Sequence, residues 1–376
     1  MELYNSFKGF VKENIKPFAC EWDKSAEVPY KTIKKMGKAG YFGSFLPKEF
    51  GGQEWDIVTY GLLNEAVGNG MAALADLLTI QAMVSIILLK WGTETQKSEW
   101  LEQLASGKII GGFALTEPDT GSDIQSIETE FIDDGNCFRL NGSKKWISYG
   151  QIADLFVVFG KINGKPLACI LPRKSEGLEI IPINNMMGYR TAKLARLNFG
   201  DIRIPPENII GKPGTALSLI APVGLQYGRI STACAALGLL RACFEESISY
   251  ASERKVSGLP LGDKEIIRSL LASMGTDLNA ASLLCYSACR AEDEHLPEAF
   301  EKVLMAKYFS SKAAVKAASN AVQIKGAAGC NESDPVARYY RDAKIFEIIE
   351  GTSQIHESIL GKLFLDKTHK EELLSA

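Results

Sequence analysis

An acidic side chain interrupts the apolar run FEIIEGTSQI (residues 346–355) at Glu350, and Gly351 and Thr352 follow at once. Apolar neighbours would exclude water from this carboxylate, and desolvation raises the pKa of a carboxyl group toward neutrality. Such a carboxylate suits a general base that takes a proton from carbon, and Gly351 would leave room for the reacting atoms. Taken alone, Glu350 could equally be an acid at a helix end that faces solvent or pairs with a lysine.

Hydroxyl and aromatic side chains cluster in two further segments. The first, TEPDTGSD (residues 116–123), contains Thr116 and Ser122; the second, KKWISYG (residues 144–150), contains Trp146 and Ser148. An aromatic plane beside hydroxyl donors suits a large, flat, hydrogen-bonding ring such as isoalloxazine. The alternatives are a turn rich in helix caps for the first segment and a core tryptophan for the second.

Arginine and glycine residues could hold a pyrophosphate. Arg229 lies in GRISTACAALG, Arg254 in YASERKVSG, and Gln323 and Gly326 in QIKGAAG. Arginine donates paired hydrogen bonds to phosphate, and small residues let the backbone approach it. Surface salt bridges would explain either arginine as well. The chain has neither a GxGxxG after a strand nor a GxxxxGK[ST], so a nicotinamide-binding Rossmann unit and a P-loop are not supported.

Metal and histidine chemistry have few candidate residues. The eight cysteines are scattered without a CxxC pair, and the chain has only three histidines. This sparse set predicts reduced thiols, no metal site and no histidine-based triad.

The pattern of apolar residues divides the chain into three regions that must position these groups. Residues 1–112 carry apolar side chains at helical spacing. Residues 113–215 form short β-branched and aromatic runs between turn signals such as Asp134-Gly135, which predict an antiparallel β domain. Residues 216–376 return to long helices, which predict a bundle. The fold class is therefore α+β, in the order helical, β, helical.

Composition argues against several classes of protein. The chain of 376 residues is 46% hydrophobic and has a net charge of −3 without a basic stripe, which disfavours nucleic acid binding. The uncharged stretch Leu77–Leu89 is shorter than the about 20 residues of a membrane-spanning helix, so no membrane insertion is expected. The first residues lack the apolar core of a secretory signal, and we expect a cytoplasmic protein.

Five segments, in order, resemble the acyl-CoA dehydrogenase superfamily: FALTEPDTGSD, KKWIS, YASERKVSG, QIKGAAG and YYRDAKIFEIIEGTSQI. The resemblance extends over essentially the whole chain. It implies an N-terminal helical domain, a central antiparallel β-barrel-like domain and a C-terminal four-helix bundle. It also implies FAD bound in the cleft and across a subunit interface, in a homodimer or homotetramer.

The same resemblance implies a role for each candidate residue. Glu350 would be the catalytic base that removes a proton α to a thioester carbonyl while the β-hydride passes to flavin N5. Some members place the base directly before the arginine that matches Arg229; this chain has Gly228 there, which leaves Glu350 as the candidate. Ser122, Arg229 and Gly351 would lie near the substrate. The residues implied to contact FAD are Phe113, Leu115, Thr116, Ser122, Trp146, Ile147, Ser148, Arg254, Gln323, Gly326, Thr352 and Gln354.

The resemblance implies that different parts of the FAD contact different residues of this chain. Thr116 would bond the ring near N5, and residues 146–148 would line its other side. Arg254 and residues 323–329 would reach the FAD of a neighbouring subunit, and residues 352–354 would meet the adenosine half.

Four positions depart from the commonest family pattern. Ser257 stands where the RxxFG segment has phenylalanine, and Glu265 where the next helix has glutamine, which puts that FAD contact in doubt. The segment QxxGGNG reads Gly326-Ala327-Ala328-Gly329 at its end. Gln226 replaces the acid of LDxGR, which weakens the case for a free CoA thioester.

Segments such as YGLLNEAVG, WISYGQIADLF and LLCYSAC resemble one branch in particular. Its members make hydroxymalonyl-, methoxymalonyl- or aminomalonyl-carrier-protein extender units for polyketide and nonribosomal pathways. The implied substrate is a small polar acyl group on an acyl carrier protein, and Glu350 could then take a proton from a hydroxyl or hydrate. The alternatives are a short- or branched-chain acyl-CoA dehydrogenase of catabolism and a flavin-free scaffold. The sequence leaves the electron acceptor open, oxygen included.

Overall fold

The structure, a computed structural model, describes residues 2–375 and the side chains of residues 2–366. The first helices are α1 Glu2–Asn14, α2 Ala19–Ser25, α3 Tyr30–Lys38, α4 Ile57–Gly70, α5 Ala72–Trp91 and α6 Glu94–Ala105. The strands of the central region are β1 Gly111–Ala114, β2 Glu130–Asp133, β3 Phe138–Ile147, β4 Leu155–Ile162, β5 Lys165–Pro172, β6 Leu178–Pro182, β7 Ala195–Ile204 and β8 Ile209–Ile210. A short hairpin, β9 Lys255–Val256 and β10 Leu259–Pro260, lies among the later helices α7 Ala221–Glu253, α8 Glu265–Asp293, α9 Ala299–Lys325, α10 Pro335–Phe346 and α11 Ser353–Ser375. The predicted order of helical, β and helical regions is confirmed.

Helix α5 is the core of the first region. It is long and apolar enough to span a membrane, but residues 72–88 are all buried inside the protein. It packs against α4, α6, α7 and β1. A helix that is apolar on every face needs such partners all round, so its composition is that of a central helix.

The central strands form one mixed sheet in the order β6-β7-β3-β2-β4-β5-β8, with β1 paired to β4. Most neighbours are antiparallel, as predicted. The prediction of a purely antiparallel domain is wrong at β1 and β2, which both run parallel to β4. Parallel neighbours need a crossover connection and cannot be joined by a hairpin. Neither β1 nor β2 is joined to β4 by a hairpin.

Strand β3 carries an irregularity where it reaches the cleft. Its register with β7 shifts between Lys144 and Ile147, and Trp146 in this gap has a φ of 63°. A bulge of this kind redirects side chains at the end of a strand. Trp146 is accordingly 46% exposed, although the residues on either side are more buried.

Helix α7 joins the two helical regions. It packs against α8 and α9 of the C-terminal bundle and against α4 and α5 of the first region. Close to its start, Gly224 and Gly228 face α5 and β1: a Cβ at Gly224 would lie 2.9 Å from Ile87 and 3.3 Å from Phe113. The absence of side chains lets this end of α7 approach the cleft between the regions.

Candidate active site

Glu350 lies on the turn between α10 and α11, directly over α7. Glu350 has a φ of 54° and Gly351 a φ of 94°, both in the left-handed region. For a residue other than glycine this conformation costs of order 1 kcal/mol, and it persists only when surrounding contacts fix it. The turn therefore needs support from other elements.

Three side chains from three different helices provide that support. Lys307 of α9 donates from Nζ to the Gly351 carbonyl at 2.6 Å, and Arg229 of α7 donates from Nε to the Glu350 carbonyl at 3.4 Å. His356 of α11 places Nε2 3.2 Å from the same Glu350 carbonyl. These contacts fix the main chain at Glu350, and its carboxyl group lies against α7 at Gly228.

The Glu350 carboxyl group has no hydrogen-bond partner at Oε2 among the described residues, and this oxygen is buried. Burial raises its pKa to about 7, with a further rise from the charge of Asp76 and opposing effects of Arg229 and Lys307. A carboxyl group poised near neutrality with a free oxygen has the properties of a general base. The desolvation predicted from the apolar run is present.

Gly228 is the surface against which this carboxyl group packs. A Cβ at position 228 would lie 2.3 Å from Glu350 Oε2 and 2.9 Å from the sulfur of Met83. Any side chain there would displace the carboxylate. Some family members have their base at the position of Gly228. In this chain the glycine at that position instead makes room for the Glu350 carboxyl group.

Thr116 and the Trp146–Ser148 segment are brought side by side. The main-chain N–H of Lys145 donates to the Thr116 carbonyl at 2.9 Å, which joins the loop after β1 to the end of β3. Beneath this contact, the buried Lys144 donates from Nζ to the Leu115 carbonyl at 2.9 Å and to Glu117 Oε1 at 2.7 Å. Two segments separated in sequence thus form one polar and aromatic platform.

This platform fits the ring of FAD. Thr116 and Ser148 are half-buried, and the neighbouring Trp146 is exposed. Thr120, in the same loop, has a buried hydroxyl group without a protein partner. Hydroxyl donors and an aromatic surface suit a flat heterocycle with several acceptors. Over residues 2–366, no cluster of histidine, cysteine or acidic side chains has the grouping that a metal ion needs.

The remaining predicted residues of the cleft take varied positions. Leu115 and Ile147 are buried, and Phe113 packs on Phe159 with ring centroids 5.1 Å apart, so these side chains support the platform. Ser122 is exposed on the loop. Thr352 accepts from the Ile355 N–H at 3.3 Å as the cap of α11, and Gln354 beside it is exposed.

Arg254, Gln323 and Gly326 are not part of this cleft within one chain. Arg254 is at the far end of α7, about 40 Å from Gly228 at 1.5 Å per residue. Gln323 and Gly326 lie at the end of α9, and all three are exposed. The structure therefore separates the predicted FAD residues into two sets that a single chain cannot bring to one ring.

The departure at Gln226 is compensated by a neighbouring helix. Gln226 Nε2 donates to the Glu292 carboxylate of α8 at 3.0 Å. A carboxylate thus still lies next to the position where the family has its acid.

Sequence reasoning missed several residues of the site. Lys307 and His356 are fully buried beneath the base turn, Lys144 and Glu117 tie the platform together, and Asp76 is a buried acid on α5. Charged residues in otherwise apolar helical stretches were the available signal for Lys307 and Asp76. Their partners lie on distant elements, so spacing along the chain did not reveal them.

Three family models match consecutive parts of the chain. They are described as the acyl-CoA dehydrogenase N-terminal domain, over residues 1–108, middle domain, over 112–202, and C-terminal domain, over 219–365.

Individual proteins are similar over nearly the full length. Glutaryl-CoA dehydrogenase of Desulfococcus multivorans is 33% identical over 96% of this chain and 94% of its own. The structure of butyryl-CoA dehydrogenase from Megasphaera elsdenii superposes with a TM-score of 0.93 at 30% identity, covering 97% and 98% of the two chains. The structure of the prolyl acyl carrier protein oxidase AnaB gives a TM-score of 0.90 at 28% identity, covering 96% and 98%.

Proposed function

The chain belongs to the acyl-CoA dehydrogenase family of FAD-dependent oxidoreductases, and we propose that it oxidises a small acyl thioester with Glu350 as the base. The observation that carries this proposal is the buried, unpartnered Oε2 of Glu350, which packs against Gly228 in the same cleft as the Thr116–Trp146 platform. No other described carboxylate combines a place on that cleft with the match to the family's base.

The residues of the chain divide the work of this reaction. FAD, when bound, supplies the acceptor for a hydride. Glu350 takes the proton at Oε2, and the contacts of Arg229, Lys307 and His356 with the turn keep that oxygen in position. The apolar walls exclude water, so the carboxylate keeps its raised pKa and its basicity.

We further propose that the acyl group is carried by an acyl carrier protein, as in the biosynthesis of extender units. The segments WISYGQIADLF and LLCYSAC support this branch, and so does the similarity to a protein named as a prolyl acyl carrier protein oxidase. The alternative is a short- or branched-chain acyl-CoA dehydrogenase that forms a 2,3-enoyl-CoA. The similarity to glutaryl-CoA and butyryl-CoA dehydrogenases favours that alternative.

The proposed assembly is a homodimer or homotetramer in which Arg254, Gln323 and Gly326 reach the FAD of a neighbouring subunit. Their exposure and their distance from Glu350 along α7 and α9 support it. Light scattering gives the mass of the assembly. Arg254→Ala should weaken FAD retention without changing the bleaching that occurs in the fraction still loaded.

Anaerobic mixing of the holoprotein with CoA- and carrier-bound thioesters tests the reaction. We expect loss of the oxidised flavin absorbance with at least one short thioester, and faster loss with the carrier-bound form. Glu350→Gln should keep FAD and no longer bleach, whereas Glu347→Gln, whose side chain pairs with Lys344 at the surface of the same turn, should bleach normally. Bleaching by Glu350→Gln at the normal rate would refute the base, and faster reaction of the CoA ester would favour the catabolic alternative.

A further inference from the structure

Asp76 is a buried acid that the reaction described above does not use. It lies near the N-terminal end of the apolar helix α5 and is only 5% exposed. Its Oδ2 is buried and has no hydrogen-bond partner among the described residues. A buried carboxylate oxygen without a donor is costly, so a fold retains one only where something else satisfies it.

The helical spacing places Asp76 on the face of α5 that leads to the base. Met83 is seven residues further along, two turns away on the same face, and its sulfur packs at Gly228 together with the Glu350 carboxylate. Between them, Thr79 shares a hydrogen bond of 2.7 Å with Ser231, which is on α7 and binds the Gly228 carbonyl. This face of α5 therefore runs along α7 toward Glu350.

The groups around Asp76 come from both sides of the cleft. Burial raises its pKa to about 6, and the Ser148 hydroxyl on the platform opposes this rise as a hydrogen-bond donor. The Asp76 charge also contributes to the raised pKa of Glu350, after the larger effect of burial. Tyr149, the tyrosine next to Ser148, already donates its hydroxyl to the Ala73 carbonyl. Asp76 thus lies between the platform and the base with an acceptor oxygen still unused.

We propose that Asp76 determines substrate specificity: its carboxylate accepts a hydrogen bond from a hydroxyl group on the acyl chain, so that short hydroxyacyl thioesters bind in preference to unsubstituted ones. This inference rests on the proposed oxidation of a small acyl thioester and names the class of acyl group.

The charge balance of the site favours a neutral donor over an ammonium group. The site already holds two carboxylates, Asp76 and Glu350, and two cationic side chains, Arg229 and Lys307, whose charges act on Glu350. A third cation would be in excess in a buried site, whereas a hydroxyl group satisfies the free acceptor without adding charge.

The expected discrimination follows from leaving Asp76 unsatisfied. A buried polar group without its partner costs 1–3 kcal/mol, so the hydroxyacyl thioester should bind about 10- to 100-fold more tightly than its unsubstituted counterpart.

The test compares propionyl-, 2-hydroxypropionyl- and 3-hydroxypropionyl-pantetheine, because pantetheine is common to CoA and to carrier proteins. Dissociation constants are measured from the change in flavin absorbance of the holoprotein in a Glu350→Gln background, where binding occurs without turnover. Bleaching rates are measured in the protein with Glu350 intact. The variants are Asp76→Leu, which removes both oxygens, Asp76→Asn, which keeps one, and the control Asp277→Asn, whose acid pairs with Lys316 far from the cleft.

We expect at least one hydroxyacyl thioester to bind at least tenfold more tightly than the propionyl thioester, with Asp277→Asn unchanged. Asp76→Leu should abolish or invert this difference in affinity and should bind the propionyl thioester more tightly than the wild type does. Asp76→Asn should lose only part of the preference for the hydroxyacyl thioester. Asp76→Leu should also raise Tm, because it removes a buried unpaired acid, and this verifies that the variant folds.

Equal affinities for all three thioesters would overturn the role of Asp76, and so would a preference for the hydroxyacyl thioester that survives in Asp76→Leu. If any of the three thioesters still bleaches the flavin, the proposed function stands. If no short thioester, on pantetheine or on a carrier, binds or bleaches the protein, both the proposed function and the role of Asp76 are wrong.

Discussion

Two glutamates of the site, the buried Glu117 and the half-buried Glu350 with its buried Oε2, have opposite electrostatic environments. Burial acts to raise the pKa of both. At Glu117 the charge of Lys144 and hydrogen bonds from Lys144, Thr129 and the Glu128 N–H outweigh burial, and its pKa lies below the usual value. At Glu350 no donor reaches Oε2, and the pKa rises to about 7. Donors and a cation at Glu117 outweigh its burial, whereas burial prevails at Glu350, and this balance separates a group that holds the fold from a group that can take a proton.

Glu117→Gln tests the structural side of this comparison and should have the largest effect. It leaves Lys144 buried without its acid, which should lower the free energy of unfolding by about 3 kcal/mol. Chemical denaturation measures this loss, and Glu128→Gln, an exposed acid of the same loop, should have little effect. Because the folded pKa of Glu117 is depressed, the difference between wild type and variant should be present above the unfolded pKa and disappear as pH falls. A destabilisation by Glu117→Gln that persists at low pH would contradict the assignment.

Gly228→Ala tests whether the space beside Glu350 is required. The added Cβ would lie 2.3 Å from Oε2 and must push the carboxylate from its position. A displacement of about 1 Å can lower a rate about 100-fold, so we expect a loss of that size in the bleaching rate with FAD retained. Gly9→Ala in α1, where a Cβ meets nothing within 4 Å, is the matched helix control. A Gly228→Ala enzyme of normal rate would show that Glu350 works in another position.

Lys307→Met tests the charges that oppose burial at Glu350. Removing a nearby positive charge makes ionisation of Glu350 harder, so its pKa should rise further. The base acts when ionised, and kcat/KM should therefore increase with pH around a midpoint near 7 in the wild type. In the variant that midpoint should move upward only slightly, because Lys307 makes the smallest contribution to the pKa of Glu350 and its own pKa is lowered by burial to about 7. Lys316→Met, exposed on the same helix, should leave the profile in place, and a downward movement in Lys307→Met would count against a charged Lys307.

Glu350→Gln should stabilise the protein, whereas Glu117→Gln should destabilise it, and the effect of Glu350→Gln should be the smaller. The folded pKa of Glu350 is raised above its unfolded value, so ionisation opposes folding and stability falls as pH rises from about 4.5 to about 7. Glu350→Gln removes that penalty and should raise Tm by roughly 2–5 °C at pH 8, and by less at pH 5. Thermal scans at the two pH values measure it. A lower Tm at pH 8 would mean that Glu350 is satisfied by partners in the fold.

The sequence by itself determined the order of helical, β and helical regions. The spacing of apolar residues changes from a helical to a strand pattern and back at the boundaries, and this spacing is a local property of the sequence. It also indicated the family, since five short segments in order are specific, and that resemblance, with the apolar neighbours beside it, made Glu350 the base candidate. The parallel pairing of β1 and β2 with β4 was not readable, because crossover connections leave no turn signal.

Only the tertiary structure decided which charged groups share the cleft. The Lys144–Glu117 pair, the Lys307 and His356 support of the base turn, and the unused oxygen of Asp76 depend on contacts between residues far apart in the chain. The long helix α7 likewise sets the distance between Arg254 and Glu350 in one chain, which agrees with the expectation that Arg254 serves the FAD of a neighbouring subunit. A carboxylate's pKa depends on donors and charges within a few ångströms, and that neighbourhood exists only after the chain has folded.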